Sequence, residues 1–135
     1  MRIGIVSTRL AGVDGVTFEV AKWEEVLGRM GHEVQLLAGD VDALRPHSRL
    51  VPAMHFTHPP AARVTSAAFD ADSDAGAVRR EIDRLAEQLV PVIEAWMDAH
   101  RLELLVVENA WAIPMHLPLA VALRRVVQST GIGAI

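Results

Sequence analysis

Along the chain, short unbroken apolar runs alternate with longer stretches in which apolar residues return every three or four positions. Residues 2–7 are of the first kind. Ile3, Ile5 and Val6 form a β-branched run bounded by turn residues, which predicts a strand buried on both faces. The second kind follows: Val16, Val20, Trp23, Leu27 and Met30 form one helical stripe, with Lys22, Glu24, Glu25 and Arg29 mainly off it. Asp14 stands where an N-cap belongs, and Gly31 where a left-handed residue ends a helix. Residues 34–38 (VQLLA) predict a second strand, closed by Gly39 and Asp40. Residues 2–38 therefore read as a β-α-β unit with parallel strands and a right-handed crossover.

The middle of the chain is less regular. Residues 49–56 (RLVPAMHF) predict a short third strand, which Pro52 confines to an edge. Pro59-Pro60 predict an extended, non-helical segment, and residues 70–74 (DADSD) a loop that caps a helix. That helix spans residues 75–100, with Val78, Ile82, Leu85, Leu89, Val92 and Trp96 in register; Pro91 lacks an amide donor and predicts a kink. Residues 102–107 (LELLVV) read as another buried strand, with Glu108 and Asn109 at its carboxyl end. A last helix spans residues 118–130, with proline at its first position and Gly131 as its stop. Residues 133–135 begin a further strand. The order predicts one partial α/β domain over residues 1–135: a Rossmann-like, doubly wound parallel sheet flanked by helices and incomplete at its C-terminal end. Trp23, Trp96 and the methionines read as core fillers. Trp111 reads as a sugar-stacking platform or a packing lid.

Composition narrows the class. Hydrophobic residues make up 51% of 135, enough for a packed core rather than a disordered chain. The net charge of −4 lacks the basic excess of a nucleic-acid binder. No apolar run approaches the roughly 18 residues of a membrane span. The N-terminus does not read as a signal peptide, so a cytoplasmic location is expected. Cysteine is absent, which excludes disulfides and thiolate chemistry.

Candidate chemistry follows from topology. Open parallel sheets bind ligands beyond the carboxyl ends of their strands, where strand order reverses. With a 3-2-1-4-5 order, the loop STRLAGVDGV (residues 7–16) and the pair Glu108-Asn109 face one crevice. Gly12 and Gly15 permit close backbone approach or positive φ, and Arg9 offers a charge-assisted bond. Asp14 is an anion in the same place and repels phosphate. Two readings stand: a turn with its N-cap, or a wall that holds a sugar or phosphate. Glu108 likewise is either a solvated strand end or an acceptor in the site. Asp40 stands where a dinucleotide domain carries its ribose-binding acid, but no G-x-G-x-x-G occurs, and no cofactor is expected. His47, His55 and His58 fall short of a zinc set, and no metal is expected. His116 reads as a polar residue at a helix start.

The segments TRLAGVDGVTFEVAKWEEVLGRMGHEVQLLAGD (8–40), PAMHFTHPP (52–60) and ELLVVENAWAIPMHLPLAVALRRVVQSTGIGAI (103–135) are similar to the amino-terminal domain of retaining glycosyltransferases of the GT-B fold, family-four type. The resemblance spans nearly the whole chain. It implies the acceptor-side half of a two-domain, nucleotide-sugar-dependent transferase. Arg9, Gly12, Asp14, Gly15, Glu108 and Asn109 would then line the cleft as substrate-binding residues, with no catalytic residue assigned. It also implies that the donor-binding half is missing, so the piece is expected to be inactive alone. Its partners are nucleotide-sugar and acceptor in the complete enzyme, and either a C-terminal domain or a second copy of itself. The alternatives are a non-catalytic, self-associating α/β module and a nucleotide-binding domain of another enzyme class.

Overall fold

A computed structural model describes residues 1–42 and 45–135. Among these residues, five strands form one all-parallel sheet: β1 (Arg2–Ser7), β2 (Glu33–Ala38), β3 (Ser48–Leu50), β4 (Leu104–Glu108) and β5 (Gly133–Ala134), in the order β3-β2-β1-β4-β5. The helices are α1 (Gly15–Arg29), α2 (Pro59–Ala68), α3 (Ala75–His100) and α4 (Leu117–Thr130). This is the expected Rossmann-like arrangement, with β3 at one edge and β5 at the other.

Alternate strand residues feed two cores. Ile3, Ile5, Leu36 and Val106 pack with Val20 and Leu27 of α1 on one face. Val6, Leu37 and Leu105 pack with Leu89, Ile93 and Trp96 of α3 and Leu119, Leu123 and Val126 of α4 on the other. The division follows from direction. The chain leaves β1 one way to reach β2 and the other way to reach β4 and β5. Crossovers of one hand therefore put their helices on opposite faces. Full burial of each such side chain contributes about 1.5–3 kcal/mol.

Local signals terminate the elements. Asp14 caps α1 by accepting from Thr17 N at 2.9 Å, and Asp74 caps α3 through Gly76 N and Ala77 N. Gly31 and Gly131 take positive φ beyond α1 and α4. Helix α3 runs through Pro91 as one element.

Three expectations are corrected. Pro59 and Pro60 open α2 instead of extending the chain, because first-turn amides have no intrahelical acceptor and their loss costs nothing there. The third strand is shorter than residues 49–56; it ends at Leu50, and a single 3₁₀ turn follows at Pro52–Met54. Trp23 and Met30 are not core fillers. With Val26 they form an exposed flank of α1, because the sheet covers only the strip at Val16, Val20 and Leu27. Met1 and Met115 are exposed too, whereas Met54, Met97 and Trp96 are buried as expected.

Candidate functional site

Parallel strands send the β1–α1 loop, the segment after β2 and the β4–α4 loop out of the same edge of the sheet. β1 lies between β2 and β4, so the strand order reverses beside it. Ser7, the last residue of β1, is in register with Ala38 on one side and Glu108 on the other. The two loops singled out in the sequence thus leave from adjacent points.

The β1–α1 loop is held by its own polar groups. One oxygen of Asp14 accepts from Thr17 N, and the other accepts from Arg9 Nη2 at 2.6 Å. The Thr17 amide, chiefly, and the Arg9 guanidinium hold the Asp14 carboxyl below its usual range. Arg9 also lies 5.9 Å from the centroid of the Phe56 ring, within cation–π range, and that ring stacks on His55. Gly12 has φ +79°, a conformation that favours glycine. Its N–H donates to both oxygens of Asp42, at 3.1 and 3.2 Å. Gly15 opens α1 and has no positive φ; a Cβ there would meet open space, so the position is unobstructed.

The neighbouring β4–α4 loop begins at Glu108, which is half-buried. Burial raises its pKa, and the Glu19 carboxylate of α1 adds to the effect. Asn109 turns the chain with φ 62°, a left-handed conformation that asparagine tolerates better than most residues. Trp111 is 44% exposed and donates Nε1–H to the Ala120 carbonyl of α4 at 3.1 Å.

His116 is a structural residue. It is buried, accepts from Leu119 N at Nδ1 and donates from Nε2 to Ala53 O at 2.9 Å. A backbone donor on one side and a backbone acceptor on the other dictate the neutral Nε2–H tautomer. Burial accordingly lowers its pKa.

The three central histidines do not converge. His47 lines a hollow with Glu24 and His32 beside the amino end of β2, whereas His58 lies beside His116. Among the described residues, no group of three or more His, Asp or Glu side chains is placed to hold a metal ion. No helix among them is long and apolar enough to cross a membrane.

Sequence reasoning missed Glu19, Asp42 and Phe56. Glu19 is one of three glutamates on α1, and nothing in its spacing sets it apart. Asp42 reaches Gly12 only because the parallel pairing continues past the strands through a bridge between Leu10 and Val41. Phe56 reaches Arg9 because Gly39 lacks a Cβ; one built there would lie 2.0 Å from the backbone nitrogen of His55.

No protein-family profile matches the chain. It is 28% identical over 130 residues to the mannosylglucosylglycerate synthase of Thermotoga maritima, a match that covers 93% of this chain and 29% of that protein. It is 27% identical over 134 residues to the mannosylglucosylglycerate synthase of Petrotoga mobilis, covering 98% of this chain and 30% of that protein. The chain thus spans about 30% of the length of the curated relatives it matches, and its relation to these glycosyltransferases is distant.

Proposed function

We propose that this chain is the acceptor-side, Rossmann-like half of a nucleotide-sugar-dependent retaining glycosyltransferase of the GT-B type. The observation that carries the reading is the alignment with two glycosyltransferases over 93% and 98% of this chain. The parallel sheet supports it, because the β1–α1 loop and Glu108 leave neighbouring strands at the same end of the sheet, beside the reversal point. In this reading Arg9, Gly12, Asp14, Gly15, Glu108 and Asn109 form one wall of the cleft. Asp14 and Glu108 accept hydrogen bonds from sugar hydroxyls. The donor diphosphate is held mainly by a second half. Transition-state stabilisation needs both walls, because charge developing on the leaving diphosphate is met by groups on the far side.

A radiolabelled transfer assay with common nucleotide-sugars tests this. The isolated 135 residues are expected to show no turnover, and robust turnover would overturn the half-site reading. A self-associating module is the second reading, favoured by the exposed flank of Trp23, Val26 and Met30. Light scattering separates the two: a clean monomer removes the self-associating module.

A further inference from the structure

We propose that the hollow between Trp111 and the outer face of α4 binds a small aromatic anion: a flat ring of mainly carbon that carries one carboxylate, sulfonate or phosphate. Such a site lies beyond the glycosyltransferase reading and does not depend on it.

The hollow measures about 470 Å³ and is lined by Trp111, Leu117, Ala120, Val121 and Arg124. That size, with an apolar and aromatic lining and one charged group, is typical of small-molecule sites. The four α4 residues recur at three- and four-residue spacings and form one stripe of the helix. The core takes the opposite stripe, with Leu119, Ala122, Leu123 and Val126.

Trp111 is held in place. Its Nε1–H donates to Ala120 O at 3.1 Å, so its one polar atom is spent and a ligand meets hydrocarbon ring. Its loop is anchored on either side by the buried residues Ala110 and His116, and Ile113 N donates to Asn109 O between them. The platform exists before a ligand arrives, which lowers the ordering cost of binding. A flat ring suits it, because aromatic pairs stack offset or edge-on.

Charge selects among flat rings. Arg124 is exposed and makes no ion pair or side-chain hydrogen bond among the described residues, whereas Arg125 beside it is held by Asp83. Three other surface hollows, of about 250 to 510 Å³, each have a carboxylate in their lining: Glu24 and Glu33, Asp70, or Asp98 and Glu103. The Trp111 hollow has none, in a chain of net charge −4. Nucleobase edges would leave donors and acceptors unpaired against this lining. An apolar ring leaves none, and its acid group meets the Arg124 guanidinium in water.

Naphthoate is the probe and naphthamide its neutral counterpart, each titrated into the 135-residue chain. The readout is the NMR resonances of the Trp111 indole N–H and the Leu117 and Val121 methyls. These are expected to shift saturably with naphthoate, while the indole resonances of Trp23 and Trp96 stay in place. Naphthamide is expected to bind about threefold more weakly, the margin that one exposed charge supplies. Arg124→Gln should erase that margin, and it leaves the fold intact because Arg124 has no partner to lose. Arg79→Gln, which removes the cation from the hollow at Asp70, should preserve the margin. Trp111→Leu should weaken both probes about fivefold. Uridine monophosphate, a flat ring rimmed with polar groups, should bind more weakly than naphthoate. Equal affinity for naphthoate and naphthamide in the wild type overturns the proposal, as does equal loss of the margin in Arg79→Gln. Tighter binding of uridine monophosphate, or shifts that do not saturate, overturns it as well. No nucleotide-sugar enters the measurement, so a failed transfer assay and an empty hollow are separate results.

Discussion

His116 joins two segments 63 residues apart: its Nε2–H donates to the carbonyl oxygen of Ala53 at 2.9 Å while its Nδ1 caps α4. The cap requires the neutral ring, because a protonated Nδ1 cannot accept from Leu119 N, whereas the bond to Ala53 survives protonation. The folded pKa is depressed, so the unfolded chain takes up a proton first as pH falls. His116 therefore contributes stability that is present above its unfolded pKa, about 6.5, and is lost as pH falls toward its folded value. The wild-type melting temperature is expected to drop from pH 8 to pH 5. His116→Ala should melt lower at pH 8, by about 1–3 kcal/mol of lost stability, and show a shallower drop. Equal slopes for the two proteins would show that another group drives the transition.

Glu108 carries the opposite sign. Burial and Glu19 raise its folded pKa, so the stability tied to its protonated form is full below the unfolded pKa and lost as pH rises through the folded one. At neutral pH its ionised form is a cost. Glu108→Gln is expected to stabilise the fold at pH 7.5 by a fraction of a kcal/mol, about what modest crowding of two half-exposed carboxylates implies. The gain should shrink toward zero near pH 4. Thermal denaturation of both proteins at the two pH values checks it, and a gain that grows on acidification is the contrary outcome.

Gly39 is where the chain after β3 crosses closest to β2. A Cβ would lie 2.0 Å from His55 N and 2.4 Å from His55 Cα, and backbone cannot move aside as a side-chain tip can. Gly39→Ala is expected to destabilise by about 3 kcal/mol, the upper end of ordinary overpacking. Gly28→Ala, in a helix with open space at the position, should stabilise by up to about 1 kcal/mol. Urea denaturation of the pair measures the contrast.

Asp14 combines a cap and an ion pair. Asp14→Asn retains an acceptor for Thr17 N and releases Arg9, whereas Asp14→Ala loses both. Loss of the cap is expected to cost about 1 kcal/mol, with the asparagine variant close to wild type in neutral buffer. Because the folded pKa of Asp14 is depressed, the advantage of the wild type over the asparagine variant should fade as pH drops below about 3.9. Equal destabilisation by both variants at pH 7 would assign the energy to the Arg9 pair rather than to the cap.

Local features of the two loops were legible in the sequence. Asp14 as N-cap, Gly12 in a turn, and Glu108-Asn109 at a strand end all follow from residue type within a few positions. Asp42 on Gly12, Glu19 beside Glu108 and Phe56 under Arg9 were not, since each joins segments related only by strand pairing. Pro59 and Pro60 show a different difficulty. The same pair opens a helix or extends a chain, and packing of Ala61, Val64 and Thr65 against the core selects the helix.

By itself, the sequence determined four of the five strands among the described residues, three of their four helices and the caps at Asp14 and Gly131. Backbone geometry repeats every two or 3.6 residues, and hydrophobic periodicity records that repeat locally. Tertiary structure decided which charges meet and which apolar stripe is left bare. Trp23 and Met30 share the spacing of Val20 and Leu27, but a flat sheet covers only a narrow strip of the α1 cylinder. Likewise, nothing near Gly12 in the chain foretells Asp42. Parallel register across β1 and β2 carries them together, and that register is set by the two cores rather than by either loop.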